Sequence, residues 1–245
     1  MTGPGAFRFD ADPFTADVFR ETPAPAAVCT DVVKTYRTAT ETVTALAGVS
    51  LEVPRAQVTV VVGPSGSGKS SLLRLLACID SPDSGAVTVG GARVDTLGAR
   101  GRRRLRQRQV AYLFQRPGEN LLPYLDAAAQ VRLAAQLRGA PVDDDGVHDL
   151  LARLGLGDRA DHRPAQLSGG EQQRLAVACG VVGGPALVVA DEPTAELDTA
   201  AAERVLAAMT ELAADGVAFL VSSHDPRVMA AADGFVHLDR GQRVP

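Results

Sequence analysis

With 245 residues, 46% of them hydrophobic, the chain can bury a full core as one large domain or as a core carrying an inserted subdomain. A net charge of −4 gives no global signature for nucleic acid. No stretch approaches the roughly 18–20 uncharged apolar residues that cross a bilayer, and the opening MTGPGAFRFDADPF lacks the basic-then-apolar layout of a signal peptide, so a cytoplasmic protein is expected. Cys29, Cys78 and Cys179 are odd in number without metal-like spacing, and read as small core hydrophobes.

Residues 1–25 carry prolines and phenylalanines (Phe7, Phe9, Phe14, Phe19) without a steady period, which predicts a poorly ordered extension. From Ala27 the pattern turns to strands: AVCTDVV, VTALAGVSLEV, then QVTVVVG, an apolar run suited to a strand buried on both faces. Leucines in helical register follow at once in KSSLLRLLA. AVTVGGARV reads as a hairpin, the arginine run Arg100–Arg108 as a solvated helical face or an intersubunit surface, and VAYLFQ as another buried strand. A mostly helical insertion is expected next, over about 116–174. The core then resumes with a helix after Gly170, the strand ALVVAD, a helix over Thr199–Ala214, the strand VAFLVSSH and a final hairpin GFVHLDRGQRV.

Four segments carry chemistry. GPSGSGKSS at Gly63–Ser71 fits the phosphate-loop pattern G-x-x-x-x-G-K-S/T between a strand and a helix. Gly63, Gly66 and Gly68 free the backbone so that N–H groups of the loop Gly63, Pro64, Ser65, Gly66, Ser67, Gly68 can face phosphate oxygens, and the helix adds its positive end. Lys69, one of only two lysines (the other is Lys34), would neutralise β- and γ-phosphates, while Ser70 would bind Mg2+ beside Ser71. In LVVADEPT, Asp191 closes an apolar strand as a magnesium ligand held mostly through water, and adjacent Glu192 is placed to orient or deprotonate the attacking water. His224 in SSHD ends another apolar strand, where a hydrogen bond to the γ-phosphate is its expected role. LSGGEQQ at Leu167–Gln173 is the fourth segment.

With these motifs the chain resembles the nucleotide-binding subunits of ATP-binding-cassette transporters, over about Val28 to Val244, and LSGGEQQ is the most diagnostic element. The resemblance implies an α/β fold: a P-loop NTPase core of RecA-like type with an antiparallel β-subdomain and an inserted α-helical subdomain, together filling 26–245. It implies ATP and Mg2+ as ligands, and a head-to-tail dimer of two copies around two Mg-ATP. Tyr36 would then stack on adenine. Gln115 would sense the metal and the attacking water and link them to the insertion. Ser168, Gly169 and Gly170 would clamp the γ-phosphate bound to the opposite copy, and Asp198 would cross the dimer interface. An integral membrane permease, met through the helical insertion on the cytoplasmic face of the cell membrane, is the implied partner, with no nucleic acid.

SSLLRLLACIDSPDSG, RRRLRQRQVAYLFQ and NLLPYLDAAAQV are similar to ATPases of the lipoprotein-release, macrolide-export and cell-division types. The cell-division branch leaves an alternative, an ATPase that transmits strain to envelope or cell-wall enzymes without moving a solute. Three residues depart from the family's usual pattern: Ala56 where glycine is common, Ser71 for threonine and Cys179 for arginine.

Overall fold

The computed structural model describes residues 24–37 and 41–244; most of the expected extension, with its four phenylalanines, lies outside them. In chain order the elements are β1 (Ala27–Arg37), β2 (Thr42–Val53), β3 (Val58–Val62), α1 (Lys69–Leu76), β4 (Ser84–Val89), β5 (Ala92–Arg93), α2 (Ala99–Gln109) and β6 (Val110–Leu113). They continue as α3 (Ala127–Arg138), α4 (Asp144–Arg153), α5 (Gly169–Val181), β7 (Leu187–Asp191), α6 (Thr199–Ala214), β8 (Phe219–Ser222), α7 (Pro226–Ala230), β9 (Gly234–Asp239) and β10 (Gln242–Val244). Short 3-10 turns at Pro117–Asn120, Gly157–Arg159 and Pro164–Gln166 join the helices of the insertion.

Two sheets result. β2-β1-β4-β5 is antiparallel, and β10-β9-β3-β8-β7-β6 is parallel except for its β10 edge. The strands of the larger sheet divide their side chains between two cores, because successive residues of a strand point to opposite faces. Val60, Val188 and Phe219 join the core beneath α3, α5 and α6. Val61, Val189 and Leu220 join the core shared with α1 and the antiparallel sheet. α1 buries Leu72, Leu73, Leu75 and Leu76, each worth about 1.5–3 kcal/mol, and so fixes its own N-terminus against the end of β3.

β6 is shorter than the sequence suggests. Asn120 receives the Phe114 N–H at 2.8 Å and donates back to its carbonyl at 3.0 Å, which ends the ladder before Gln115. The arginine run is a helix, α2, with no buried residue, no acidic residue in its first turn and no side-chain cap on Gly98. Arg100, Arg104 and Arg108 follow at i, i+4 spacing, where like charges cost about 0.2–0.5 kcal/mol per pair. Among the described residues no helix is long and apolar enough to cross a membrane.

Ala56 adopts φ +57, the left-handed region where a Cβ is strained. This accounts for the family's preference for glycine there. Ala56→Gly is expected to stabilise the fold by about 0.5–1 kcal/mol, less than the full strain because glycine loosens the unfolded chain. Urea unfolding would show a higher midpoint at unchanged slope.

Candidate functional site

β3, β8, β7 and β6 run parallel, so their C-terminal ends emerge together on the sheet edge where open α/β sheets bind ligands. Gly63 follows β3, Asp191 ends β7, Ser222 ends β8 with His224 two residues on, and Gln115 lies exposed beyond β6. Register sets Asp191 opposite Ser222 and Val61 opposite Ser222. Residues far apart in the chain thus meet on one edge.

The loop after β3 is held from below by backbone. A Cβ at Gly63 would lie 2.1 Å from the Leu238 carbonyl oxygen, and one at Gly68 would lie 2.4 Å from that of Ala45. Glycine is required at both places because neighbouring strands press against the loop. Gly241 N–H donates to the Ser67 carbonyl at 3.0 Å and so ties the loop to the β9–β10 hairpin. Lys69 Nζ donates to the carbonyls of Gly63 at 2.5 Å and Pro64 at 3.0 Å, which curls the loop around the ammonium. Gly68, the N-cap of α1, supplies no side-chain acceptor for the first-turn N–H groups, and Ser67 Oγ is buried without a hydrogen-bond partner among the described residues. Pro64, Ser65, Gly66 and Ser70 are exposed, with Ser71 half-buried behind them. A cation, unpaired helix-end donors and a hydroxyl facing one loop form a donor set suited to phosphate oxygens.

The acids are positioned by neighbours on adjacent strands. Ser222 Oγ donates to Asp191 Oδ1 at 2.5 Å, and Tyr112 on β6 donates to Asp191 Oδ2 at 3.4 Å. Burial and the Asp191 charge push the Tyr112 phenol up to about 12, so it stays a proton donor. Both Asp191 oxygens are therefore oriented, and their remaining lone pairs fit the oxygen-ligand chemistry of a hard cation. Glu192 has φ +45, a left-handed conformation that costs a non-glycine residue about 1–3 kcal/mol. Its N–H donates to the Ser222 carbonyl at 3.0 Å and to Ser222 Oγ at 3.3 Å, which holds the strained turn. Its Oε1 lies 3.9 Å from Nε2 of His224, whose side chain is 60% exposed. Thr194 donates to Asp225 Oδ2 at 3.2 Å, which ties the turn after β7 to the turn after β8, and Arg227 grips the same carboxylate.

Ser168, Gly169 and Gly170 open α5, which packs on α3, α4, α6 and β6, whereas α1 packs on β2, β4, β7 and β8. Ser168 and Glu171 form a reciprocal capping box: Ser168 Oγ accepts from Glu171 N–H at 3.3 Å, and Glu171 Oε2 accepts from Ser168 N–H at 2.8 Å. These bonds, with Arg159 at 3.1 Å, hold the Glu171 carboxyl below its usual range. A Cβ at Gly170 would meet Ala201 Cβ on α6 at 2.7 Å, so packing alone explains that glycine. At Gly169 the nearest atom would be Leu197 Cδ2 at 3.6 Å, an ordinary contact. Asp198 caps α6 by accepting from Ala201 N–H at 2.8 Å. Tyr36, on β1 of the antiparallel sheet, is half-buried; its hydroxyl donates to Asp80 at 3.2 Å, and Lys34 Nζ lies 5.3 Å from its ring centre.

The family model for ABC transporter proteins matches residues 46–195, a span that takes in the phosphate loop, the LSGGEQQ segment and the Asp191–Glu192 pair. The chain belongs to the ATP-binding-cassette family. This cassette is 38% identical over 219 residues to the lipoprotein-releasing system ATP-binding protein LolD of Pseudomonas fluorescens, covering 88% of the chain and 96% of that relative. It is also 38% identical over 226 residues to a macrolide export ATP-binding/permease protein, MacB 1/2 of Paracoccus denitrificans, covering 91% of the chain. The cassette spans about a third, 34%, of that longer protein. Among solved structures, the dimeric post-hydrolysis state of the ATP-binding cassette MJ0796 bound to ADP and Pi superposes with a TM-score of 0.78 at 28% identity, over 89% of this chain and 97% of that one. The cassette is an ATPase of the LolD and MacB type, with the mixed α/β fold expected of it.

Sequence reasoning passed over Ser222, Tyr112, Thr194 and Asp225 as positioning groups, although the SSHD and ADEPT segments contain three of the four. Cys29 and Cys78 are buried as expected, while Cys179 lies half-buried beside a groove between α2, α3 and β6. Burial pushes its thiol up to about 12. A guanidinium stands near position 179 all the same: Arg138 reaches over from α3 to the carbonyls of Gly180 at 2.9 Å and Val110 at 3.2 Å.

Proposed function

We propose that the cassette dimerises head to tail around two Mg-ATP, hydrolyses them, and so drives a separate membrane permease from the cytoplasmic side. Gly63–Ser71 would bind the phosphates, with Lys69 on the β- and γ-oxygens and Tyr36 against the base. Ser70 and Asp191 would hold Mg2+, whose positive charge polarises the terminal phosphate, with Gln115 alongside. Glu192 would take the proton of the attacking water, and His224 would donate to the γ-phosphate. Ser168–Gly170 and Asp198 would complete the site of the opposite copy. LolD and MacB carry the names of a lipoprotein-releasing system and a macrolide exporter, which supports export-type work with a permease.

The observation that carries the shared site is Gly169. Nothing among the described residues forbids a side chain there, yet it sits exposed at a helix N-terminus in the LSGGEQQ segment. A group outside the chain, an anion held by a second copy, accounts for it. Gly169→Asp is therefore expected to leave folding and single-chain ATP binding intact, while hydrolysis and ATP-dependent dimerisation are lost. Nucleotide calorimetry beside a phosphate-release assay checks this; retained hydrolysis would overturn the shared site.

The groove between α2, α3 and β6 supports the permease reading. Phe114 and Leu137 line it and are 44% and 56% exposed, so the groove presents apolar surface to a partner. It borders both the helical insertion and the strand that leads to Gln115, so a partner seated there would touch both.

A further inference from the structure

Lys34, the other of the chain's two lysines, is 8% exposed, and an ammonium so enclosed is costly unless it is paired. Its Nζ donates to Asp80 Oδ1 at 3.1 Å and to the Ser81 carbonyl at 2.9 Å, with Asp83 Oδ1 at 3.6 Å. Asp80 serves two further donors: the Ser81 N–H reaches Oδ1 at 2.9 Å, and the Tyr36 hydroxyl reaches Oδ2 at 3.2 Å. Burial pushes the Asp80 carboxyl up, but the bonds from Ser81, Lys34 and Tyr36 outweigh it and hold the group below its usual range, so it stays an ionised acceptor. The same stretch of β1 is stitched to the turn after α1 through its backbone as well. Thr35 N–H donates to Asp83 Oδ2 at 2.6 Å, and Asp83 N–H donates to the Val33 carbonyl at 2.9 Å. Residues 33–36 of β1 are thus bound to residues 80–83.

This network stands close to the phosphate loop. Gly68 presses on Ala45 and Leu46 of β2, and the β1–β2 register sets Lys34 opposite Leu46. Tyr36 lies two residues further along β1, about 7 Å at the rise of a strand, a separation that a nucleoside can span. Lys34 Nζ lies over the Tyr36 ring, 5.3 Å from its centre, and so takes one face of it. We propose that Asp80 is a positioning residue for nucleotide binding: through the Tyr36 hydroxyl it fixes the plane of the ring on which the base stacks, and Lys34 holds Asp80 in place. The inference rests on Tyr36 being the base-stacking residue and adds what orients it. A phenol ring without an anchor turns about two side-chain bonds and gives up that freedom when a base arrives, whereas an anchored ring has given it up beforehand. Asp80 acts on the base side, away from the reacting phosphate, so its effect belongs to binding and not to the chemical step.

The test uses the whole chain with Mg2+ and two calorimetric probes: ATP, and inorganic tripolyphosphate, which carries the phosphates without a base. Tyr36→Phe keeps the stacking ring and removes only the anchor, so it should weaken ATP binding about three- to tenfold and leave tripolyphosphate binding unchanged. Asp80→Ala alone would strand the enclosed Lys34 ammonium, so it is made together with Lys34→Met. That pair should lose ATP affinity to the same extent and raise KM at constant kcat in a phosphate-release assay. Adding Tyr36→Phe to the pair should cost nothing more, because both changes break one bond. Wild-type or tighter ATP binding by Tyr36→Phe overturns the positioning role, and a loss in Tyr36→Ala would then still uphold stacking. Wild-type ATP binding by Tyr36→Ala removes the stacking reading and the proposal with it. An equal loss for tripolyphosphate moves the effect to α1 and the phosphate loop and overturns the proposal, as does a further loss when the three substitutions are combined.

Discussion

Lys69→Ala is expected to abolish triphosphate binding, with an affinity loss of about two to four decades in calorimetry. The magnitude follows from two charge-assisted hydrogen bonds to phosphate oxygens, each worth about 1.5–3 kcal/mol. Lys69 Nζ is already bonded to the carbonyls of Gly63 and Pro64, so the loop holds its cation where the anion would arrive. Both carbonyls belong to residues that are not buried, and water can replace the ammonium there, so the variant should fold. The loop is also pinned independently by the Gly241–Ser67 bond and by the close approach of Leu238 to Gly63. Lys69→Arg should fail too, because a planar fork does not fit inside a loop that wraps the phosphates closely. Wild-type affinity in either variant would contradict the assignment of Lys69.

The site is legible in the sequence where its chemistry is local, and hidden where it depends on strand pairing. Gly63–Ser71 and Asp191–Glu192 each lie within a few consecutive residues, so residue type and order suffice to suggest phosphate and metal chemistry. The bond from Ser222 to Asp191 spans 31 residues, and that from Tyr112 spans 79; both exist only because β8 and β6 flank β7. No spacing rule reaches that far. The two glycines of the LSGGEQQ segment look alike as letters, yet a side chain at one would collide with Ala201 while at the other it would meet only Leu197 Cδ2 at 3.6 Å, a difference that appears only once α6 is placed against α5. Much of the fold was legible too, since the buried parallel strands are continuous apolar runs. The early end of β6 was not, because it depends on Asn120 competing for the Phe114 backbone.

Glu192→Gln should trap an ATP-dependent dimer that elutes earlier on a sizing column and turns over about two to four decades more slowly, the usual contribution of a general base. The substitution keeps the shape and hydrogen-bonding reach of the side chain while removing its charge and basicity. It should also keep the turn. The left-handed backbone at Glu192 is held by the Ser222 carbonyl and hydroxyl through the residue's own N–H, contacts that do not involve the carboxylate. Two consequences then point the same way. Without a base the bound triphosphate persists, and with one negative charge fewer beside each triphosphate the closed dimer gains electrostatically. The His224 ring, 3.9 Å from Glu192 Oε1, would lose an anionic neighbour and keep only the hydrogen bond to the phosphate proposed for it. Because the phosphate loop is untouched, affinity for ATP should match the unmodified cassette, which separates this variant from Lys69→Ala in the same calorimetric assay. A Glu192→Gln protein that stays monomeric with Mg-ATP and still hydrolyses it would remove Glu192 from the reaction and leave the attacking water to be activated by the phosphate itself.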